Sequence, residues 1–159
     1  MSPRAGPAGH EHHVVAAHHA LASRLKSRIL IVDDDEANVA LLQAFLAGEG
    51  AEIKAVTESR LAESTFHSFA PDLVLLDLHM PVPDGLEILR RLQAVRGERG
   101  FVPIVAVTAD DSKVACRSAL VLGADEFLTK PLDRTEVVLR VRNLLRTRKL
   151  FLELRNLNQ

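Results

Sequence analysis

The chain has 159 residues, enough for one domain plus extensions, and 47% hydrophobic against 26% charged residues supports a packed core without disulfides. A formal net charge of -1 excludes a chain built to coat nucleic acid, and no apolar run approaches the roughly 20 residues that a membrane span needs. Cys116 is the single cysteine, which excludes an internal bridge; with no apolar leader at the N-terminus, a reducing cytoplasm is the expected compartment.

Residues 1 to 26 differ from the rest. Pro3, Gly6, Pro7 and Gly9 break structure, and His10, His12, His13, His18 and His19 interleave with Ala and Val. A flexible His/Ala-rich tail is expected rather than a metal site, because no cysteine or carboxylate pair completes a tetrahedral set there. From Arg28 a regular alternation begins. A strand is predicted over 28–32 and a helix over 36–47, with Val39, Leu42, Phe45 and Leu46 on one face. A strand over 52–56 and a helix over 59–69 follow, the helix closed by Pro71. The next strand, 72–76, leads through Met80-Pro81-Val82-Pro83-Asp84-Gly85 into a helix over 85–95. A strand over 102–107, a helix over 111–122, a strand over 126–129 and a helix N-capped by Asp133 complete the series.

Five strand–helix units in strict alternation predict a parallel sheet covered on both faces. At about 120 residues the natural fit is a flavodoxin-like, doubly wound five-stranded sheet of order 2-1-3-4-5. In such a sheet ligands bind beyond the carboxyl ends of the strands. Asp33 and Asp34 leave strand one, Asp77 leaves the adjacent strand three, and Thr108 and Lys130 follow strands four and five. Three carboxylates so close repel one another unless protonated or bridged by a cation. Hard oxygen ligands select magnesium or calcium, and magnesium favours one or two carboxylates plus a phosphate. A carboxylate nucleophile, Mg2+, a lysine and a hydroxyl are the parts needed to form and hold an aspartyl phosphate. Asp35 reads best as a helix cap. The Lys130-Pro131 bond is a candidate for cis geometry in a tight turn.

The segments Ile29–Glu36 (ILIVDDDE), Leu73–Pro81 (LVLLDLHMP) with Asp84-Gly85, Ile104–Ala109 (IVAVTA) and Gly123–Pro131 (GADEFLTKP) run in order through about 120 residues. As a set they resemble the receiver domain of two-component response regulators. The resemblance implies that Asp77 accepts a phosphoryl group from a sensor histidine kinase or phosphotransfer protein. It further implies that Asp33, Asp34, Asp77 and the backbone carbonyl of His79 hold Mg2+, and that Thr108 and Lys130 contact the phosphoryl oxygens. Phe127 stands at the position of the family's switch aromatic, so the face of helix four, strand five and helix five is expected to change on phosphorylation. Pro83 departs from the pattern and should stiffen the start of helix three. His79 and Asp110 fall at variable positions that tune phosphoryl lifetime.

Two rival readings follow from the same residues. A haloacid-dehalogenase-type phosphohydrolase would use Asp33 as nucleophile, with Asp35 completing a D-x-D pattern, but it leaves Asp77 without a task and lacks a further acidic pair after Lys130. A plain interaction module would show no magnesium affinity. The domain division expected is a tail at 1–26, a receiver at 27–146 and an extension of the last helix at 147–159. Glu136 to Leu157 holds no Pro or Gly, and Leu150, Leu154 and Leu157 recur at i, i+4 and i+7 with Phe151 beside them. This stripe is expected to find nothing to pack on within the domain, and so to pair with a second copy as a homodimer or to lead to an output domain. It resembles the linker helix joining some receivers to cyclic-dinucleotide-handling or signalling output domains. Arg140, Arg142, Arg146, Arg148 and Lys149 make it basic, but with no recognition helix in view direct nucleic-acid binding is not expected.

Overall fold

The apolar runs become five parallel strands, β1 (Arg28–Val32), β2 (Glu52–Val56), β3 (Leu73–Asp77), β4 (Ile104–Thr108) and β5 (Glu126–Thr129). They form one sheet of order β2-β1-β3-β4-β5, the predicted topology. The structure is a computed structural model describing residues 26–109 and 113–158. The N-terminal tail up to residue 25 and Asp110 lie outside the described residues. The helices are α1 (Glu36–Leu46), α2 (Ala62–Phe69), α3 (Gly85–Arg96), α4 (Lys113–Val121) and α5 (Arg134–Leu157). No described helix is long and apolar enough to cross a membrane.

Alternating side chains of the strands fill two cores. Leu30, Val74, Leu76, Ile104 and Ala106 meet Phe66, Ile88 and Leu92 from α2 and α3 on one face. Ile29, Ile31, Leu75 and Val105 meet Val39, Leu42, Val137 and Val141 from α1 and α5 on the other. β3 and β4 are buried along their whole length, whereas the edge strand β2 alternates between exposed and half-buried residues. This is why the central runs read as continuously apolar.

Three of the helix starts have a side-chain cap. Asp35, Asp84 and Asp133 accept hydrogen bonds from the backbone N–H of Ala37, Glu87 and Glu136, each at 2.9 Å. α2 stops at Ala70, held in the left-handed region at φ 56° immediately before Pro71. β3 and β4 begin one and two residues later than predicted. Asp72 is committed to Arg28, and Pro103 has no N–H to give to a neighbour.

The last helix corrects one expectation. Its extension does pack on the domain. Arg148 is buried at 7% exposure; its Nε donates to Asp72 Oδ1 at 3.0 Å and its Nη1 to the Phe101 carbonyl at 2.6 Å. Asp72 Oδ2 accepts from the Arg28 N–H at 2.8 Å, so one carboxylate ties α5 to the start of β1. The Phe151 ring lies 5.9 Å from that of Phe101, and Gly100, at φ 79°, sits against Leu152 and Arg155. Further down, Arg142 makes a two-pronged pair with Glu49 at 2.7 and 2.8 Å, and Arg140 pairs with Glu126 at 2.7 Å. Arg140, Arg142 and Arg148 therefore bind carboxylates of their own domain. Leu150, Leu154 and Leu157 remain 54%, 62% and 80% exposed, as the stripe required.

Removing the Arg148 guanidinium leaves the Asp72 carboxylate and the Phe101 carbonyl without their partner. Arg148→Ala should lower unfolding stability by about 2 kcal/mol, the cost of hydrogen bonds to a charged group, read as a fall in the denaturant midpoint.

Candidate functional site

The acidic residues meet where β1 and β3 end side by side, with Val32 in register with Leu76. Asp33 is 1% exposed and Asp77 3% exposed, while Asp34 stands at the open rim. One carboxylate oxygen from each of the three lies within 4.8 Å of the others. Asp33 Oδ1 accepts from the Asp35 N–H at 2.9 Å, but Asp33 Oδ2 is buried without a hydrogen-bond partner among the described residues. Burial pushes the Asp33 carboxyl up to about 6; the Asp35 N–H opposes this and the nearby Asp77 charge adds to it. An orphaned, proton-hungry oxygen inside a cluster of hard donors is what a divalent cation would satisfy, so the residues fit Mg2+.

The other side of Asp77 faces donors. Its Oδ1 accepts from the His79 N–H at 3.0 Å and lies 3.6 Å from Lys130 Nζ. Lys130 is aimed from the end of β5, where its own N–H donates to the Thr108 carbonyl at 2.8 Å. The Lys130–Pro131 peptide is cis, as the sequence suggested, and so is Val82–Pro83. Thr108 ends β4, is buried, and its hydroxyl lies 3.3 Å from Nε2 of His79. Ile104, Ala106 and Thr108 alternate onto one face of β4; half-buried Phe127 pairs with Ala106 and packs against that same core. Thus a carboxylate, an ammonium and a hydroxyl converge at one sheet edge beside a cation-ready pocket. Such an arrangement can bind a phosphoryl group and stabilise its charge.

All six predicted binding residues, Asp33, Asp34, Asp77, His79, Thr108 and Lys130, fall at this edge. Two features escaped the sequence. The His79 side chain, not only its backbone, enters the site. Gly85 touches the back of it: a Cβ there would overlap the Asp77 carbonyl oxygen and the Leu78 Cα, so only glycine lets α3 start so close to the acidic strand. The Asp84-Gly85 pair carried a signal for the second feature, and the resemblance had singled out His79 as a variable position without saying what its ring touches. A hollow of about 300 Å³ is lined by Ser27, Asp72, Leu145 and Arg148 rather than by these residues. It belongs to the anchor of α5.

A parallel five-stranded sheet bearing an acidic cluster, a hydroxyl and a lysine at its carboxyl edge defines a class of phosphate-handling α/β domains. The family model described as "Response regulator receiver domain" matches residues 29–142, and the chain belongs to this family. It is 39% identical over 131 residues to response regulator PleD of Caulobacter vibrioides, covering 82% of this chain and 29% of that protein. It is 39% identical over 119 residues to the transcriptional regulatory protein TrcR of Mycobacterium tuberculosis, covering 75% of this chain and 45% of that one. The chain thus spans less than half the length of both relatives. Among solved structures, the beryllofluoride-activated receiver domain of Klebsiella pneumoniae RstA superposes with a TM-score of 0.69 at 31% identity, over 76% of this chain and 99% of that one. NtrX from Brucella abortus superposes with a TM-score of 0.75 at 28% identity, over 84% of this chain and 30% of that one. Receiver domains of two-component response regulators are signalling modules rather than conventional enzymes.

The raised Asp33 value has a pH consequence. Without divalent cation the folded chain holds this proton up to about pH 6, whereas the unfolded chain releases it near 3.8. Between these values the folded form binds more protons, so this group's contribution to stability is present below the lower value and is lost as pH rises through the upper one. In EDTA, Asp33→Asn should flatten that part of the decline and raise the thermal midpoint at pH 7.5. The same substitution should abolish stabilisation by magnesium chloride, checked by thermal unfolding across pH.

Proposed function

We propose that this chain is a phosphorylation-dependent switch whose phosphoacceptor is Asp77. The observation that carries the reading is a single carboxylate, 3% exposed, set between the unpartnered oxygen of Asp33 and the ammonium of Lys130 at 3.6 Å. A phosphohistidine on a sensor kinase or phosphotransfer protein is the donor. A carboxylate oxygen of Asp77 attacks phosphorus, the P–N bond breaks, and the electron pair stays on the imidazole, which takes up a proton. Asp33, Asp34, Asp77 and the His79 carbonyl would hold Mg2+, which when bound draws charge from the phosphoryl oxygens. Lys130 balances that charge from the other side, and the Thr108 hydroxyl donates to one phosphoryl oxygen. As Thr108 shifts toward the phosphoryl group, Phe127 gains room to turn inward, and the face made by α4, β5 and α5 changes. The outcome is a shift between two populations.

Residues 27–146 form the receiver in this reading, and 147–159 carry its state outward. Leu150, Leu154 and Leu157, exposed on an anchored helix, suit pairing with a second copy or a junction to an output domain. The setting is cytoplasmic, with no role in direct nucleic-acid binding for this segment. The hydrolase reading is the weaker one. After Lys130 the described chain is a single helix that adds no acidic pair at the strand ends.

Acetyl phosphate with magnesium should label the unaltered chain once, at Asp77, and Asp77→Asn should abolish the label, read by intact mass and peptide mapping. Labelling that survives Asp77→Asn and is lost in Asp33→Asn would support the hydrolase instead. With magnesium and beryllofluoride, light scattering should show a shift from monomer toward dimer that Leu154→Glu prevents.

A further inference from the structure

We infer that a second hollow, beside Asp34, is a leaving-group subsite, and that Arg60 in its wall favours phosphodonors whose leaving group is a carboxylate. The inference rests on the reading of Asp77 as phosphoacceptor and deepens it by naming a residue that discriminates among donors. The hollow measures about 240 Å³. It is lined by Asp34 after β1, by residues 57–60 after β2, and by Pro81 and Val82 after β3. Asp34 belongs to both places, because one of its carboxylate oxygens lies within 4.8 Å of oxygens of Asp33 and Asp77 in the acidic cluster. The hollow therefore adjoins the acceptor. Ser59 Oγ donates to the Pro81 carbonyl at 3.3 Å, which ties the loops after β2 and β3 together.

In-line displacement dictates where a leaving group goes. Asp77 is buried and Asp34 stands exposed at the rim, so a bond that breaks on the side away from Asp77 points outward past Asp34. With acetyl phosphate, the P–O bond to the acetyl group breaks and its electron pair leaves on an acetate anion. With nitrogen-protonated phosphoramidate, the P–N bond breaks and neutral ammonia leaves. Only the first departure adds negative charge at the rim. Asp34 and Glu58 oppose it there, and Arg60 is the one cation among the residues that line the hollow. Its Nε donates to Glu58 Oε2 at 2.9 Å and its Nη2 lies 2.8 Å from the same oxygen. That leaves Nη1 without a partner among the described residues. Glu58 thus orients the guanidinium, and the free N–H groups suit a carboxylate oxygen. The Arg60 side chain is 76% exposed, so the contact is modest in size and screened by salt.

The test compares labelling rates of the full chain in magnesium with acetyl phosphate and with phosphoramidate, read by intact mass. Arg60→Ala should slow labelling by acetyl phosphate about two- to fivefold, the rate equivalent of one exposed charge contact, and leave labelling by phosphoramidate unchanged. Arg60→Lys, which keeps the charge but not the planar fork, should recover part of the loss. Glu58→Gln, which removes an opposing charge, should speed labelling by acetyl phosphate and again leave phosphoramidate unchanged. The gap between Arg60→Ala and the unaltered chain should narrow as potassium chloride is raised. Equal slowing with both donors would make Arg60 a support for the site rather than a contact for the leaving group, and overturns the inference. So does an unchanged or faster rate with acetyl phosphate in Arg60→Ala. If the unaltered chain takes label from neither donor, the reading of Asp77 fails instead, a different result from labelling that ignores Arg60.

Discussion

Two carboxylates buried side by side are a liability that a fold must resolve. Asp33 and Asp77 are brought together because β1 and β3 are adjacent and end at the same level. Burial removes the water that would separate their charges, and one oxygen of Asp33 has no protein partner among the described residues. A protein optimised for stability alone would not keep such a pair. Kept, it leaves a cluster whose charge a bound cation would balance, and the state of such a site would depend on what is bound.

In the proposed switch the same edge would convert charge into shape. Lys130 and Thr108 come from the two strands on the far side of Asp77, β4 and β5, and are linked by a backbone hydrogen bond of 2.8 Å. In the proposed switch, a group added to Asp77 would pull on strands that carry Phe127 and the start of α5. Because Phe127 is only half-buried, it has somewhere to go. The close approach of Gly85 from behind keeps Asp77 from yielding in the other direction.

At the opposite end the sheet is clamped. Asp72 receives both the Arg28 N–H and the Arg148 guanidinium, joining the starts of β1 and β3 to the outgoing helix. With Glu49–Arg142 and Glu126–Arg140 added, α5 is held at three levels by ion pairs over an apolar seam. Only the Arg148 pair is shielded enough for its energy to matter much. It fixes the direction in which the leucines at 150, 154 and 157 leave the domain.

The sequence by itself determined the topology and the place of the chemistry. Apolar runs of strand length broken by helix-period segments leave few arrangements, and side chains that follow a strand must lie at its carboxyl edge whatever the details of packing. Asp33, Asp77, Thr108 and Lys130 were therefore legible one by one, and Asp35 could be set aside as a cap. Tertiary structure decided the rest. Whether Arg148 was a solvated cation or a buried one depended on Asp72, 76 residues away in the chain. Whether His79 contributed a side chain depended on a hydroxyl 29 residues away. Local pattern reports which surface an element prefers to bury, but a polar contact between distant segments is set by three-dimensional distances that no short-range periodicity encodes.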